Sequence, residues 1–163
     1  MSEKEIFFMV AGIIRGTTVD GPGFRTSIYL SGCSHNCPGC HNPQAQNPLF
    51  GTQMSLHQIL KIVEEEDFNV TISGGDPLFY PEKLKTLISS LKNRNRNVWV
   101  YTGYTREEIF NDSLLFEAIK MADTIVDGRY IENLKDPDLC FRGSSNQRII
   151  HIDHKNPKAS LLS

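Results

Sequence analysis

Strand signals and helix signals alternate along this chain, with only short connections between them. Runs rich in β-branched and aromatic residues at Phe24–Gly32, Phe68–Ser73, Asn97–Tyr101, Thr124–Asp127 and Gln147–Ile152 read as strands. Between them, Leu56, Ile59, Leu60 and Val63 recur at helical spacing over Ser55–Glu66, as do Leu84, Leu87, Ile88 and Leu91 over Pro81–Lys92. Ser55 with Gln58, and Thr105 with Glu108, are capping-box pairs, and Pro81 suits a first helical turn. The helix begun at Thr105 continues, after a break, over Asp112–Ala122. This order implies right-handed crossovers and an α/β fold with mostly parallel strands. A full eight-unit barrel takes about 250 residues. The chain has 163 residues, room for only part of one, so an open face is expected. It reads as a single domain over residues 1–163, with a polar tail from about Asp153.

The unusual residues sit just after these strands. Cys33, Cys37 and Cys40 follow the first, in the spacing C-x3-C-x2-C. Gly74, Gly75, Asp76 and Pro77 follow the second, Thr102–Tyr104 the third, and Gly128–Tyr130 the fourth, which ends in Asp127. In parallel α/β sheets and barrels, ligands bind at these carboxyl ends. A structural metal site usually has four protein ligands, so a motif of three cysteines leaves three readings open. His35 or His41 completes a Cys3His zinc tetrahedron. An iron–sulfur cluster keeps one iron open to a small molecule. Otherwise the loop holds three free thiols. Zinc modules commonly bring two ligand pairs, and no second pair lies nearby. His35 has no role here beyond its loop. Cys140 is far away in the chain, and "PDLCFRG" reads as the setting of a small buried residue.

Composition removes other classes. Seventeen basic and nineteen acidic residues nearly cancel, so nucleic acid is not the expected partner. The basic run Lys92–Asn97 and the acidic run Glu64–Asp67 read as solvated helix ends. The apolar stretch Ile6–Ile14 is far shorter than the ~20 residues that span a bilayer. Glu3, Lys4 and Glu5 precede it and no small-residue cleavage site follows, so the expectation is no membrane and a cytoplasmic protein. Three cysteines bunched in such a chain point to metal or redox chemistry rather than disulfides.

The cysteine motif after one strand, with "SGGDP" (Ser73–Pro77) after the next, resembles the radical S-adenosylmethionine superfamily. Within it, "DGPGFR" (Asp20–Arg25), "CPGCHN" (Cys37–Asn42), "VWVYTGY" (Val98–Tyr104), "VDGRY" (Val126–Tyr130) and "RGSSNQRII" (Arg142–Ile150) are similar to the activating enzymes of anaerobic ribonucleoside-triphosphate reductases. The resemblance implies an incomplete (β/α) barrel of the radical S-adenosylmethionine type. It implies that Cys33, Cys37 and Cys40 ligate three irons of a [4Fe–4S] cluster and that S-adenosylmethionine chelates the fourth. Reductive cleavage of that cofactor then gives a 5′-deoxyadenosyl radical, which takes a Cα hydrogen from a glycine of the reductase and leaves a glycyl radical. A flavodoxin-like protein is the implied electron donor.

For the cofactor, the resemblance implies that the Gly74–Gly75 backbone lies against the methionine part and that Asp76 receives its ammonium group. Gly39 and His41, flanking Cys40, lie against the adenine. Asp127 stands beside the carboxylate and ribose. Asp20, Gly21 and Gly23 help hold the target peptide. The resemblance implies no side-chain acid or base. The activase of pyruvate formate-lyase or of another glycyl-radical enzyme is the near alternative, and a non-catalytic zinc or iron–sulfur module the distant one.

Overall fold

The computed structural model describes residues 6–162. Seven strands form one sheet: β1 (Phe7–Thr17), β2 (Arg25–Leu30), β3 (Thr52–Ser55), β4 (Asn69–Gly74), β5 (Val98–Tyr101), β6 (Thr124–Asp127) and β7 (Arg148–His151). Their spatial order is β3-β1-β2-β4-β5-β6-β7. The helices are α1 (Leu56–Glu66), α2 (Pro81–Lys92), α3 (Arg106–Phe110), α4 (Ser113–Ile119) and α5 (Pro157–Ser160).

The expected parallel sheet is only the centre of this one. The pairs β2–β4, β4–β5 and β5–β6 are parallel, and β1–β2, β1–β3 and β6–β7 are antiparallel. The reason lies in the connections. Each parallel pair is bridged by a segment carrying one or more helices, whereas the long way from β6 to β7 carries only a single 3₁₀ turn, Glu132–Leu134. β1 and β3 are not among the expected strands. β1 contains most of the apolar run weighed above as a membrane candidate. It runs on past that stretch to Thr17, with Phe8 and Val10 buried and Phe7 and Ile14 exposed.

The helices follow their sequence signals closely. Ser55 caps α1 and Thr105 caps α3, each with the reciprocal bond of a capping box. The four apolar residues of the α1 stripe and the four of α2 are all buried. They pack on the sheet face carrying Ile28, Leu30, Val70, Ile72, Val98 and Val100. The charge runs at the ends of α1 and α2 pair with one another: Arg94 Nε bonds Glu64 at 2.8 Å and Arg96 Nη1 bonds Asp67 at 2.7 Å. The tail after β7 is folded rather than loose. Leu161, just past α5, is buried in the core cluster.

Strand side chains alternate between faces, and the second face of the sheet is polar: Arg25, Ser27 and Tyr29 on β2, Thr71 and Ser73 on β4, Trp99 and Tyr101 on β5. Arg25 is fully buried. Its Nε donates to the Thr71 hydroxyl (2.9 Å), and Nη2 donates to the carbonyls of Val70 (2.8 Å) and Asn97 (3.0 Å). The guanidinium lies 5.7 Å from the Trp99 ring centre. Burial lowers its pKa to about 10, so it stays charged at neutral pH. This arginine accounts for the "DGPGFR" turn: a Cβ on Gly21 would lie 2.9 Å from Arg25 Cδ. The polar face is floored at its amino end by Arg25 and opens at its carboxyl end into the site.

Candidate active site

The carboxyl ends of β2, β4, β5 and β6 open into one cavity of about 460 Å³. Small-molecule sites typically measure roughly 300–1,000 Å³. Cys33, Cys37 and Cys40 line it, together with His41, Gly74 and Gly75. Thr102 and Gly103 after β5, and Gly128–Tyr130 after β6, supply the opposite wall. Four loops that are distant in sequence thus meet because parallel strands all end on the same edge.

The glycine loop is held by backbone. Gly75 N–H donates to Leu30 O (2.8 Å) and Asp76 N–H to Gly32 O (2.7 Å). Gly74 has φ +113°, and a Cβ there would lie 2.2 Å from the Leu30 carbonyl oxygen. A Cβ on Gly75 would lie 2.5 Å from the carbonyl oxygens of both Ala45 and Gly32. The two glycines therefore serve packing as well as leaving bare backbone against the cavity.

Asp76, expected to receive the ammonium group, is hydrogen-bonded within the protein. Its carboxylate is buried, and it accepts from Leu78 N–H (2.9 Å), the Thr102 hydroxyl (3.0 Å), Gly103 N–H (2.9 Å) and His35 Nε2 (2.5 Å). Donors from four residues thus converge on this carboxylate. The same network assigns the proton to Nε2 of His35. His35 therefore does more than fill its loop: it reaches across 41 residues to the loop after β4.

Asp127 is turned away from the cavity. Val126 and Gly128 line the cavity, and the side chain between them points to the other face. It is fully buried and accepts from Arg106 N–H (2.7 Å), Arg148 N–H (3.1 Å) and Arg148 Nη2 (2.6 Å). Arg148 also bonds Glu107, which holds that carboxylate down to about 2. Gly39, exposed and within the cysteine loop, does not line the cavity. At φ +77° it allows contact with Glu132, whose carboxylate would lie 2.2 Å from a Cβ. Glu132 accepts from the Tyr130 hydroxyl (2.6 Å), and the Tyr130 ring centre is 4.7 Å from that of His41.

The cysteines are all free thiols. Burial pushes the Cys33 thiol up. Cys140 is exposed, contrary to the buried setting expected for it, although its neighbours Leu139 and Phe141 line the cavity. Among the described residues, no three His, Cys, Asp or Glu side chains converge as one metal ion would require. A cluster instead takes each thiolate on a separate iron.

The sequence family described as "4Fe-4S single cluster domain" matches residues 19–150. Curated relatives include proteins named anaerobic ribonucleoside-triphosphate reductase-activating protein. The Escherichia coli K12 protein is 32% identical over 145 residues, covering 82% of this chain and 92% of its own length. The enterobacteria phage T4 protein is 35% identical over 140 residues, covering 80% and 86%. The chain belongs to this activating-protein family. Among solved structures, QueE from Escherichia coli superposes with a TM-score of 0.53 over 63% of this chain and 55% of that one, at 16% identity, a likeness of fold.

The site fits the [4Fe–4S] cluster that the family's domain carries. Three unpaired sulfurs face one cavity, and the burial that disfavours a free Cys33 thiolate is offset once cationic iron binds it. Arg142 at the rim adds a further cation. Asp20 and Tyr29, which also line the cavity, hydrogen-bond each other, and Asp20 accepts from the Ser27 hydroxyl at 2.9 Å. Burial and this carboxylate raise the Tyr29 phenol well above its ordinary value, so it remains a donor. Single-sequence reasoning missed His35, Arg25 and Tyr29. Their one visible signal was position, beside a motif or on the polar face of a strand.

Proposed function

We propose that this chain activates an anaerobic ribonucleoside-triphosphate reductase, using a [4Fe–4S] cluster and S-adenosylmethionine to form a glycyl radical on it. The observation that carries this reading is the meeting of three free cysteines and a bare glycine backbone in one cavity. Cys33, Cys37 and Cys40 hold three irons. Together the bound cluster and S-adenosylmethionine supply reductive carbon–sulfur cleavage and a radical able to take a glycine Cα hydrogen.

The chain's own residues bind, orient and shield. Gly74 and Gly75 let the methionine part approach backbone directly. His41, held against Tyr130, offers a flat face to the adenine, and Gly39 seats the loop behind it. Asp76 and Asp127 brace the walls from inside the protein. Asp20 and the Gly21–Gly23 turn face the entering peptide. The sheet acts as an incomplete barrel within one domain, and the reductase covers its open side and excludes water. A flavodoxin-like carrier delivers the electron. Free thiols suit the reducing cytoplasm; among the described residues, no helix is long and apolar enough to cross a membrane.

The test is anaerobic. Mixed with the reductase, a reductant and S-adenosylmethionine, the iron-loaded protein should give 5′-deoxyadenosine and a glycyl-radical doublet by electron paramagnetic resonance. Changing the reductase's target glycine to alanine should remove the doublet. Efficient modification of a free small molecule without any protein radical would refute the assignment.

A further inference from the structure

The long connection from β6 to β7 carries a loop that is fastened at its base and reaches the cavity with its tip. At the base, Ser145 N–H donates to Leu134 O (2.9 Å), Lys135 bridges Ser144, and Asp136 N–H donates to Gly143 O (3.3 Å). Behind it, the "RGSSNQ" segment acts as a clasp. Gln147 Oε1 accepts from Gly143 N–H (2.8 Å), Gln147 Nε2 donates to Gly128 O (3.0 Å), and Asn146 Nδ2 donates to Arg129 O (2.8 Å). The tip, residues 137–142, is built differently. Among the described residues, its hydrogen bonds all close within the loop: Leu139 N–H to Asp136 O, Asp138 N–H to the Asp136 carboxylate, and Arg142 Nε to Cys140 O. Side chains seat it instead. Leu139, Phe141 and Arg142 line the cavity, and Phe141 meets Trp99 edge-on, centre to centre at 5.4 Å. Phe141 takes φ +61°, a conformation that bulky side chains rarely adopt.

We propose that Phe141 is a removable plug: it holds a seat on Trp99 that the glycine-bearing segment of the reductase takes when the tip swings out. This rests on the function proposed above. The seat adjoins the turn that faces the entering peptide, since a Cβ on Gly21 would lie 3.4 Å from Trp99 Cδ2. With Phe141 in place, Trp99 is only 4% exposed. The tip has no backbone bond to the body to break, and leaving the seat lets Phe141 give up its strained φ. The base and clasp stay closed, so the Gly128–Tyr130 wall of the cavity keeps its place. A plug of this kind weakens the apparent affinity for the peptide by the fraction of molecules that stand open. One open molecule in about ten makes the effect about tenfold.

The probe is a synthetic peptide spanning the reductase's target glycine. It is added, without reductant, to full-length iron-loaded protein holding S-adenosylmethionine. Phe141→Gly removes the ring and suits the positive φ, so the peptide should bind it about tenfold more tightly than wild type by calorimetry. A nitroxide on Cys140, the exposed thiol beside Phe141, should give a sharper, more mobile spectrum when the peptide binds the otherwise wild-type protein. Equal or weaker peptide binding by Phe141→Gly, no binding to either protein, or a nitroxide spectrum unmoved at saturating peptide overturns the proposal. If Phe141→Gly does not fold or hold iron, Phe141→Asn, which tolerates the same φ, takes its place under the same criterion. Normal glycyl-radical formation on the reductase alongside a failed peptide test removes the plug alone. Wild-type protein that forms no such radical overturns the proposed function, and the plug with it.

Discussion

The cysteine loop and the glycine loop face the same cavity but are built in opposite ways. From Cys33 to Asn42 the chain is mostly half-buried or exposed, and its three sulfurs have no partner in a disulfide. Its supports are few: Cys33 N–H to Gln46 O at 3.2 Å, Cys40 N–H to Cys37 O at 3.1 Å, and the side chains of His35 and His41. The glycine loop is locked by backbone bonds to Leu30 of β2 and to Gly32 beyond it, and by a buried carboxylate with four donors. The contrast separates two jobs. A loop that receives metal keeps its ligands unspent until the metal arrives, and binding then adds to its stability. A loop that a ligand lies against is pre-organised by the shell behind it.

The sharpest test of this contrast is removal of a sulfur. Cys33→Ala, Cys37→Ala and Cys40→Ala should each abolish stable cluster binding and S-adenosylmethionine cleavage. Half-buried and outside the hydrophobic core, they should move the stability of the iron-free protein by no more than about 1 kcal/mol. Cys140→Ala should leave iron content and cleavage intact. Iron analysis and denaturant titration of the iron-free proteins read both halves, and loss of iron in the Cys140 variant would identify a fourth ligand.

The glycine loop should behave the other way round. Asp76→Ala leaves buried donors from four residues without their acceptor, and losing one partner of a buried charged network costs about 3–5 kcal/mol. That loss should appear without any metal, as a lower melting point of the iron-free protein. An Asp76→Ala protein of native stability would mean that the carboxylate does not brace the loop.

Gly75→Val should cost about 1–3 kcal/mol through overpacking, because the new side chain starts 2.5 Å from two carbonyl oxygens. The effect should again be visible in the iron-free protein. If that protein melts normally and only S-adenosylmethionine affinity falls, by calorimetry, Gly75 acts on the ligand alone and the packing account fails.

The smallest effect lies outside both loops, in the ion pairs beneath β6. Arg148 holds Glu107, and Arg129 holds Glu108, each down to about 2 from the ordinary 4.5. Depressed carboxylate values stabilise the fold above about pH 4.5, and that contribution is lost as pH falls toward 2. Both carboxylates are more than a third exposed, so each pair is worth roughly 0–1 kcal/mol and weakens with salt. Denaturation of Glu107→Gln and Glu108→Gln proteins should converge with wild type near pH 2 and differ slightly at pH 7.

Much of the architecture is legible in residue order alone. The stripes of α1 and α2, the capping boxes at Ser55 and Thr105, and the parallel strands β2, β4, β5 and β6 follow from periodicity and from side chains a few positions apart. The cysteine, glycine and β5 and β6 loops were placed at one edge because parallel strands share a direction. Tertiary structure decided the rest. β1 reads as a generic apolar run until β2 and β3 pair with it, and β7 turns antiparallel because no helix brings the chain back. Asp76 looks like a free carboxylate in "SGGDP" until Thr102, Gly103 and His35 arrive from 26 to 41 residues away. Arg25 and Cys140 invert the usual expectation, one buried and one exposed, because a hydrogen-bond network or its absence is set by neighbours in space. Local signals report what a residue can do with the next turn of chain; burial and partnership depend on which distant segments the fold brings against it.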